Sequence, residues 1–182
     1  MPTRRLLTVG LAIALSGCAD IHVKPQPDTA AIPLWAQPIW PGDYDAILHA
    51  QWAWADPSRT HGLPAQGAQA VAEIDYLAGM LSTNLQWLAL SPFAKMRMLQ
   101  ARADVRAVLG IAPDAPSQAV VNAMLSTQAA LDAGDQKAAL NYLREPIFTI
   151  GPEQTLALLG ALPYVQTANI GTAMTAGSPL MS

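Results

Sequence analysis

The sequence predicts an all-α fold: a small helical bundle, or an array of helical hairpins, of about six to seven helices behind a proline-rich tether. Three observations carry that expectation. Val71, Ile74, Ala78, Leu81, Leu85 and Leu88 recur three or four apart, the spacing that lays one apolar stripe along a helix. Helix start and stop residues punctuate the chain densely, as at Ser91-Pro92, Ala133-Gly134-Asp135 and Gly151-Pro152-Glu153. Only Ile147-Phe148-Thr149-Ile150 has the makings of a strand, and it has no evident pairing partner. With 182 residues, 52% hydrophobic and 13% charged, the chain can bury the core of one domain, which excludes disorder as its main state.

The first eighteen residues come in three parts. Arg4 and Arg5 form a charged start, Leu6 to Leu15 is apolar apart from Thr8 and Gly10, and Leu15-Ser16-Gly17-Cys18 closes the segment. As a helix the apolar stretch reaches about 15 Å, half a bilayer core, so it is an export signal and not a membrane span. The closing tetrapeptide resembles the lipobox of bacterial lipoproteins, whose cysteine receives lipid and becomes the mature N-terminus. The resemblance implies a signal peptide over residues 1–17 and acyl chains such as palmitate on Cys18. Several chains on one residue give lasting attachment where a single chain does not. Ala19, rather than Asp, after the cysteine favours the outer membrane, facing the periplasm. Cys18 is the only cysteine, so lipidation leaves no thiol for disulfides, metals or nucleophilic catalysis.

Residues 18–42 hold Pro25, Pro27, Pro33, Pro38 and Pro41 and show no helical period. Proline at that density fixes φ and removes donors, which makes a semi-rigid tether with a reach of roughly 75 Å at most. Trp35 and Trp40 lie inside it, and Trp52 and Trp54 follow closely. Exposed tryptophans are costly, so the later half of the tether is expected to pack onto the body.

The helical domain spans 43–175. Asp43 opens a helix to Ala55, and Asp56-Pro57 ends it before a loop over 56–67 that holds Gly62, Pro64 and Gly67. The apolar stripe defines the next helix, about Ala68 to Leu90. Ser91-Pro92 opens a third, ended by Gly110. Asp114 or Ser117 starts a fourth, which ends at Gly134, and Asp135 caps the fifth, stopped by Pro146. Gly151-Pro152 opens a sixth through Leu162, and Pro163 separates it from a weaker one ending near Met174. Residues 176–182 read as a flexible tail.

Ala130-Leu131-x-x-Gly134-Asp135-x-x-Ala138-Ala139-Leu140-x-x-Leu143 resembles the junction between units of a tetratricopeptide repeat. A faint echo sets Pro116-Ser117-Gln118 against Pro152-Glu153-Gln154. The resemblance covers about twenty residues and has no earlier unit.

Lys plus Arg number 10 against 13 Asp plus Glu, a net charge of -3, and losing Arg4 and Arg5 makes the mature chain more acidic still. Such a chain lacks the basic surface that nucleic acid requires, and charge alone will not lay it on anionic lipid. No catalytic motif appears. Asp45 and His49 share a helix face, but zinc wants three ligands, so no metal or other cofactor is expected. Glu73 and Asp75 face different sides of their helix, the wrong arrangement for an acid and base acting on one bond.

Two groups stand out as binding candidates. Trp35, Trp40, Trp52 and Trp54 are either core packing of the tether and first helix or an aromatic groove for sugar or peptide. Lys95, Arg102 and Arg106 lie within about 40° of one another on their helix. They form either a solvated face or a contact for an acidic partner. The resulting expectation is a non-catalytic, lipid-anchored helical adaptor for another envelope protein, similar in layout to accessory factors of secretion, pilus or outer-membrane assembly, including tetratricopeptide-type pilotins. A glycan- or lipid-binding module and a cell-envelope hydrolase are the alternatives.

Overall fold

A helix that is apolar all the way round must be surrounded, and the second helix organises the molecule for that reason. The computed structural model describes residues 27–38, 40 and 42–181, so the signal region, Cys18 and His22 lie outside the described residues. These fold into seven α-helices: α1 (Asp43–Ala55), α2 (Pro64–Thr83), α3 (Pro92–Val108), α4 (Ser117–Asp132), α5 (Gln136–Tyr142), α6 (Pro152–Leu159) and α7 (Gln166–Ala176). Among the described residues there is no strand. In α2, thirteen of twenty residues are buried, including the consecutive run Ala70 to Asp75. Helices α1, α3, α4 and α6 surround it; α7 packs across α1 and α3, and α5 joins α4 to α6. The protein is all-α.

Helix α5 ends at Tyr142 and α6 at Leu159, short of the expected Pro146 and Leu162, and α2 differs from expectation at both ends, each for a local reason. Helix α2 begins at Pro64, which takes the first helical position where its missing N–H costs nothing. Gly67 therefore belongs to the helix and not to the loop before it. A Cβ there would run into the Leu159 carbonyl, so glycine is what lets α2 and α6 approach backbone to backbone. At its other end α2 stops at Thr83. The Ser82 and Thr83 hydroxyls turn back onto the Ala78 and Gly79 carbonyls, and the Asn84 side chain accepts the Gln86 N–H. The chain then makes a 3₁₀ turn, Leu85–Trp87. Leu85 and Leu88 thus fall off the stripe and are exposed, whereas Trp87 and Leu90 are buried. Met96 is also exposed.

Residues Ile147–Ile150 find their partner where Gly110 ends α3. Ile111 and Phe148 form a single antiparallel bridge, with the Ala112 N–H donating to the Ile147 carbonyl at 2.8 Å.

Residues 28–38 form a strap on the body. Gly79 admits the strap's backbone: a Cβ there would lie 2.5 Å from the Asp28 carbonyl oxygen. The Gln118 side chain bonds both backbone groups of Ala31, at 2.8 and 2.9 Å. Pro33 then accepts from Ala36 and Gln37 N–H, making a turn that buries Ala36. At the other terminus Leu180 and Met181 rest against the core.

Candidate functional site

Two acidic residues on α2 build the polar interior. Glu73 and Asp75, two apart, point to opposite neighbours. Asp75 accepts from Arg106 of α3, Nε at 2.9 Å and Nη2 at 2.6 Å. The Arg106 fork also donates to the Pro113 and Ala115 carbonyls and to the Ser117 hydroxyl, which fixes the turn before α4. Only 5% of Arg106 is exposed. Arg102, half-buried, donates to the Asp28 carbonyl at 2.7 Å and to the Ser117 hydroxyl at 2.9 Å. The Asp28 carboxylate accepts the Ser117 N–H at 2.6 Å, at the start of α4. Burial works to raise the Asp28 carboxyl, but the Ser117 bonds and the charges of Arg102 and Arg106 outweigh it and hold the group below its usual 3.8. A cavity of about 420 Å³ opens beside this cluster, lined by Asp28, Leu99, Arg102, Ala103, Arg106 and the turn Pro113 to Pro116.

Glu73 faces α1 instead. Its Oε2 lies 2.6 Å from His49 Nδ1, and its Oε1 accepts from Gln69 at 2.9 Å. His49 Nε2 pairs with Gln66 Oε1 at 3.0 Å, and Gln128 of α4 donates to Gln69. Burial pushes the Glu73 carboxyl up, against the opposing pull of His49 and Gln69. Burial lowers His49, but its bond to Glu73 and the carboxylate charge outweigh this and leave it raised above 6.5. Both Glu73 oxygens and both His49 nitrogens are thus engaged within the protein. Among the described residues no three His, Cys, Asp or Glu gather as a metal site.

The candidate binding residues from the sequence part company here. Arg106 leaves the basic stripe for the interior, because Asp75 must be neutralised there. Arg102 serves the strap, and Lys95 is half-buried on the first turn of α3. Of the tryptophans, Trp54 is buried and donates its indole N–H to the Ala70 carbonyl at 3.2 Å. Trp40 stands edge-on to Tyr76, ring centroids 5.2 Å apart. Trp52 lies by the His49 ring with the Arg59 guanidinium 6.0 Å from its centroid. Among the described residues no ring contact joins any two of the four, so they do not make one aromatic surface.

Trp35 is the exception that lines a groove. It is 49% exposed and forms one wall of a groove of about 430 Å³ whose other wall is Tyr142 of α5. The floor comes from Ser126, Ala129 and Ala130 of α4, its C-terminal cap Ala133, and Ala138 of α5. Positions 126, 129, 130 and 133 share one helix face, and their short side chains leave the depression between the two rings. Asp135 sits at one end, its carboxylate accepting the Ala138 N–H at 2.9 Å as the cap of α5. Tyr142 and the alanine face escaped the sequence reading. Their signal was present in the unbroken small-residue spacing on α4.

No known family model matches this chain, nor does any characterised protein sequence or solved structure.

Proposed function

We propose that this chain is a non-catalytic adaptor of the cell envelope, held to the membrane by lipid on Cys18, and that the groove between Trp35 and Tyr142 receives an apolar side chain of a partner envelope protein. The groove carries the reading: two exposed rings lining one depression with alanines suit an inserted apolar anchor. A sugar ring would stack on such aromatics, but its hydroxyls need polar partners. The lining is mostly alanine and aromatic ring, and one of the Asp135 carboxylate oxygens is already taken by the α5 cap. Hydrolysis finds less support still. Glu73 is fully enclosed, and neither it nor His49 keeps a free atom for a substrate proton. The outer membrane facing the periplasm remains the location that Ala19 favours.

Crosslinking in intact cells, followed by purification and quantitative mass spectrometry, tests the proposal. One envelope protein should be recovered near stoichiometry from the parent and lost from Trp35→Ala/Tyr142→Ala and from Cys18→Ser. The Trp35→Ala/Tyr142→Ala variant should keep its helical circular dichroism and Tm. Equal recovery from it, or capture of lipid or glycan alone, overturns the adaptor reading.

A further inference from the structure

The turn between α2 and α3 exposes apolar side chains that the backbone holds rigidly in place. In the 3₁₀ turn the Trp87 N–H donates to Asn84, Leu88 to Leu85 and Leu90 to Trp87, so its polar groups are satisfied. Residues three apart eclipse in such a turn. Leu85 and Leu88 therefore project together, 82% and 73% exposed, while Trp87 anchors the turn in the core. The surface continues to Phe93 and Met96 on the first turn of α3, with the Arg97 guanidinium 4.8 Å from the Phe93 ring centroid. On the other flank the Tyr44 ring lies 5.2 Å from Trp87 and leads to exposed Leu48.

We infer that this wedge is a second membrane contact, which lays the α2–α3 end of the bundle on the bilayer that holds the lipidated N-terminus. Where the chain arrives selects that occupant. Asp28 and Thr29 pass close over Gly79, and Thr29 to Ile32 line one groove with Met80, Thr83 and Asn84, at the end of α2 that leads directly into Leu85. Nine peptide steps separate Cys18 from Pro27, a span of at most about 30 Å. On the lipid-anchor reading, from which this part of the inference follows, the bilayer lies within that distance of Pro27, next to the residues that pass over Gly79 near the end of α2. The side chains suit an interface: leucines at the tip, aromatic rings and methionine behind, with the cations Lys95 and Arg97 beside them on α3. Between Asp75 and Asp104 the chain has no acidic residue, so the net acidity of the body is not repeated here. Asp43 and Asp45 on the α1 flank offset the nearby cations, and contact rests on apolar insertion rather than charge.

Lipidation leaves no other thiol, so Leu88→Cys can carry a polarity-sensitive fluorophore. The control site is Asp132→Cys at the far end of α4, where Gln128 meets the early α2 residue Gln69. In phosphatidylethanolamine–phosphatidylglycerol vesicles, anchored protein labelled at 88 should brighten and shift to the blue, and protein labelled at 132 should not. Equal responses at the two sites overturn the inference. Flotation of the Cys18→Ser chain with the same vesicles separates the wedge from the anchor. Leu85→Ser/Leu88→Ser should lower its partitioning at least about tenfold with Tm unchanged. Partitioning unaffected by that pair, or a Leu88-dependent dimer that ignores vesicles, assigns the surface elsewhere and sinks the inference. The acyl mass on Cys18 reports the anchor separately.

Discussion

Asp75→Ala removes both carboxylate oxygens that pair with the buried Arg106 guanidinium. Arg106 would keep three neutral acceptors, the Pro113 and Ala115 carbonyls and the Ser117 hydroxyl, but no hydrogen-bonded anion, at 5% exposure. Stranding a buried charge in this way costs about 3–5 kcal/mol. That is a large part of the roughly 5–15 kcal/mol that holds a domain together. For a domain of this size each kcal/mol moves Tm by about 2–4 °C, so thermal melts followed by helical circular dichroism should show a fall of about 6–20 °C. The companion Asp75→Leu/Arg106→Met replaces the pair by apolar groups, removing the stranded charge, and should recover most of the loss. Recovery should be incomplete, since the turn carbonyls at Pro113 and Ala115 lose their donor. A fall under about 2 °C for Asp75→Ala, or a double variant no better than the single, would refute the claim that the pair is buried and closed.

The other two predictions separate the interior from the strap. Glu73 and His49 are both raised above their ordinary values, so the folded protein binds more protons than the unfolded chain from about pH 4.5 upward. The dyad's contribution is complete below that range and is lost as pH rises through the raised values. Urea melts between about pH 5 and pH 8.5 should show stability falling with a slope that Glu73→Gln flattens; an unchanged slope in that variant counts against the dyad. Asp28 works in the opposite sense, its contribution being lost as pH falls through its depressed value. Gly79→Ala adds a methyl that would sit 2.5 Å from the Asp28 carbonyl oxygen and 2.9 Å from Thr29 Cα, yet it improves α2 by up to about 1 kcal/mol of helix propensity. Tm should hold while hydrogen exchange at the Ala31 and Ala36 amides speeds and partner capture at the Trp35 groove falls. Unchanged protection at Ala31 would show that the strap does not depend on this contact.

Much of the fold was legible because its signals are local. A proline at the first helical position, as at Pro92 and Pro152, or an Asp whose side chain closes a cap, as at Asp135, acts within three or four residues. Periodicity failed where it met a competing local bond. The stripe runs on through Leu85 and Leu88, but Ser82, Thr83 and Asn84 divert the backbone before those leucines can use it. Gly67 looks like a loop residue, and only the distant Leu159 carbonyl explains why a position inside a helix is glycine.

The site residues show what an angular reading of one helix leaves open. Lys95, Arg102 and Arg106 share a face by spacing, yet spacing does not say whether that face looks out or in. The deciding fact lies thirty-one positions earlier, where Asp75 interrupts an otherwise apolar helix. A carboxylate in such a helix must be met by a cation or stay protonated, and the helix carries two of them, Glu73 and Asp75, on different sides. Two partners on two neighbouring helices are thereby required, and His49 before α2 and an arginine after it are the groups within topological reach. Read that way, the isolated acids were the stronger signal, and the same step frees the functional question from the basic stripe. What then remains exposed is apolar: a groove made by side chains that are too short, and a wedge made by side chains with nothing over them.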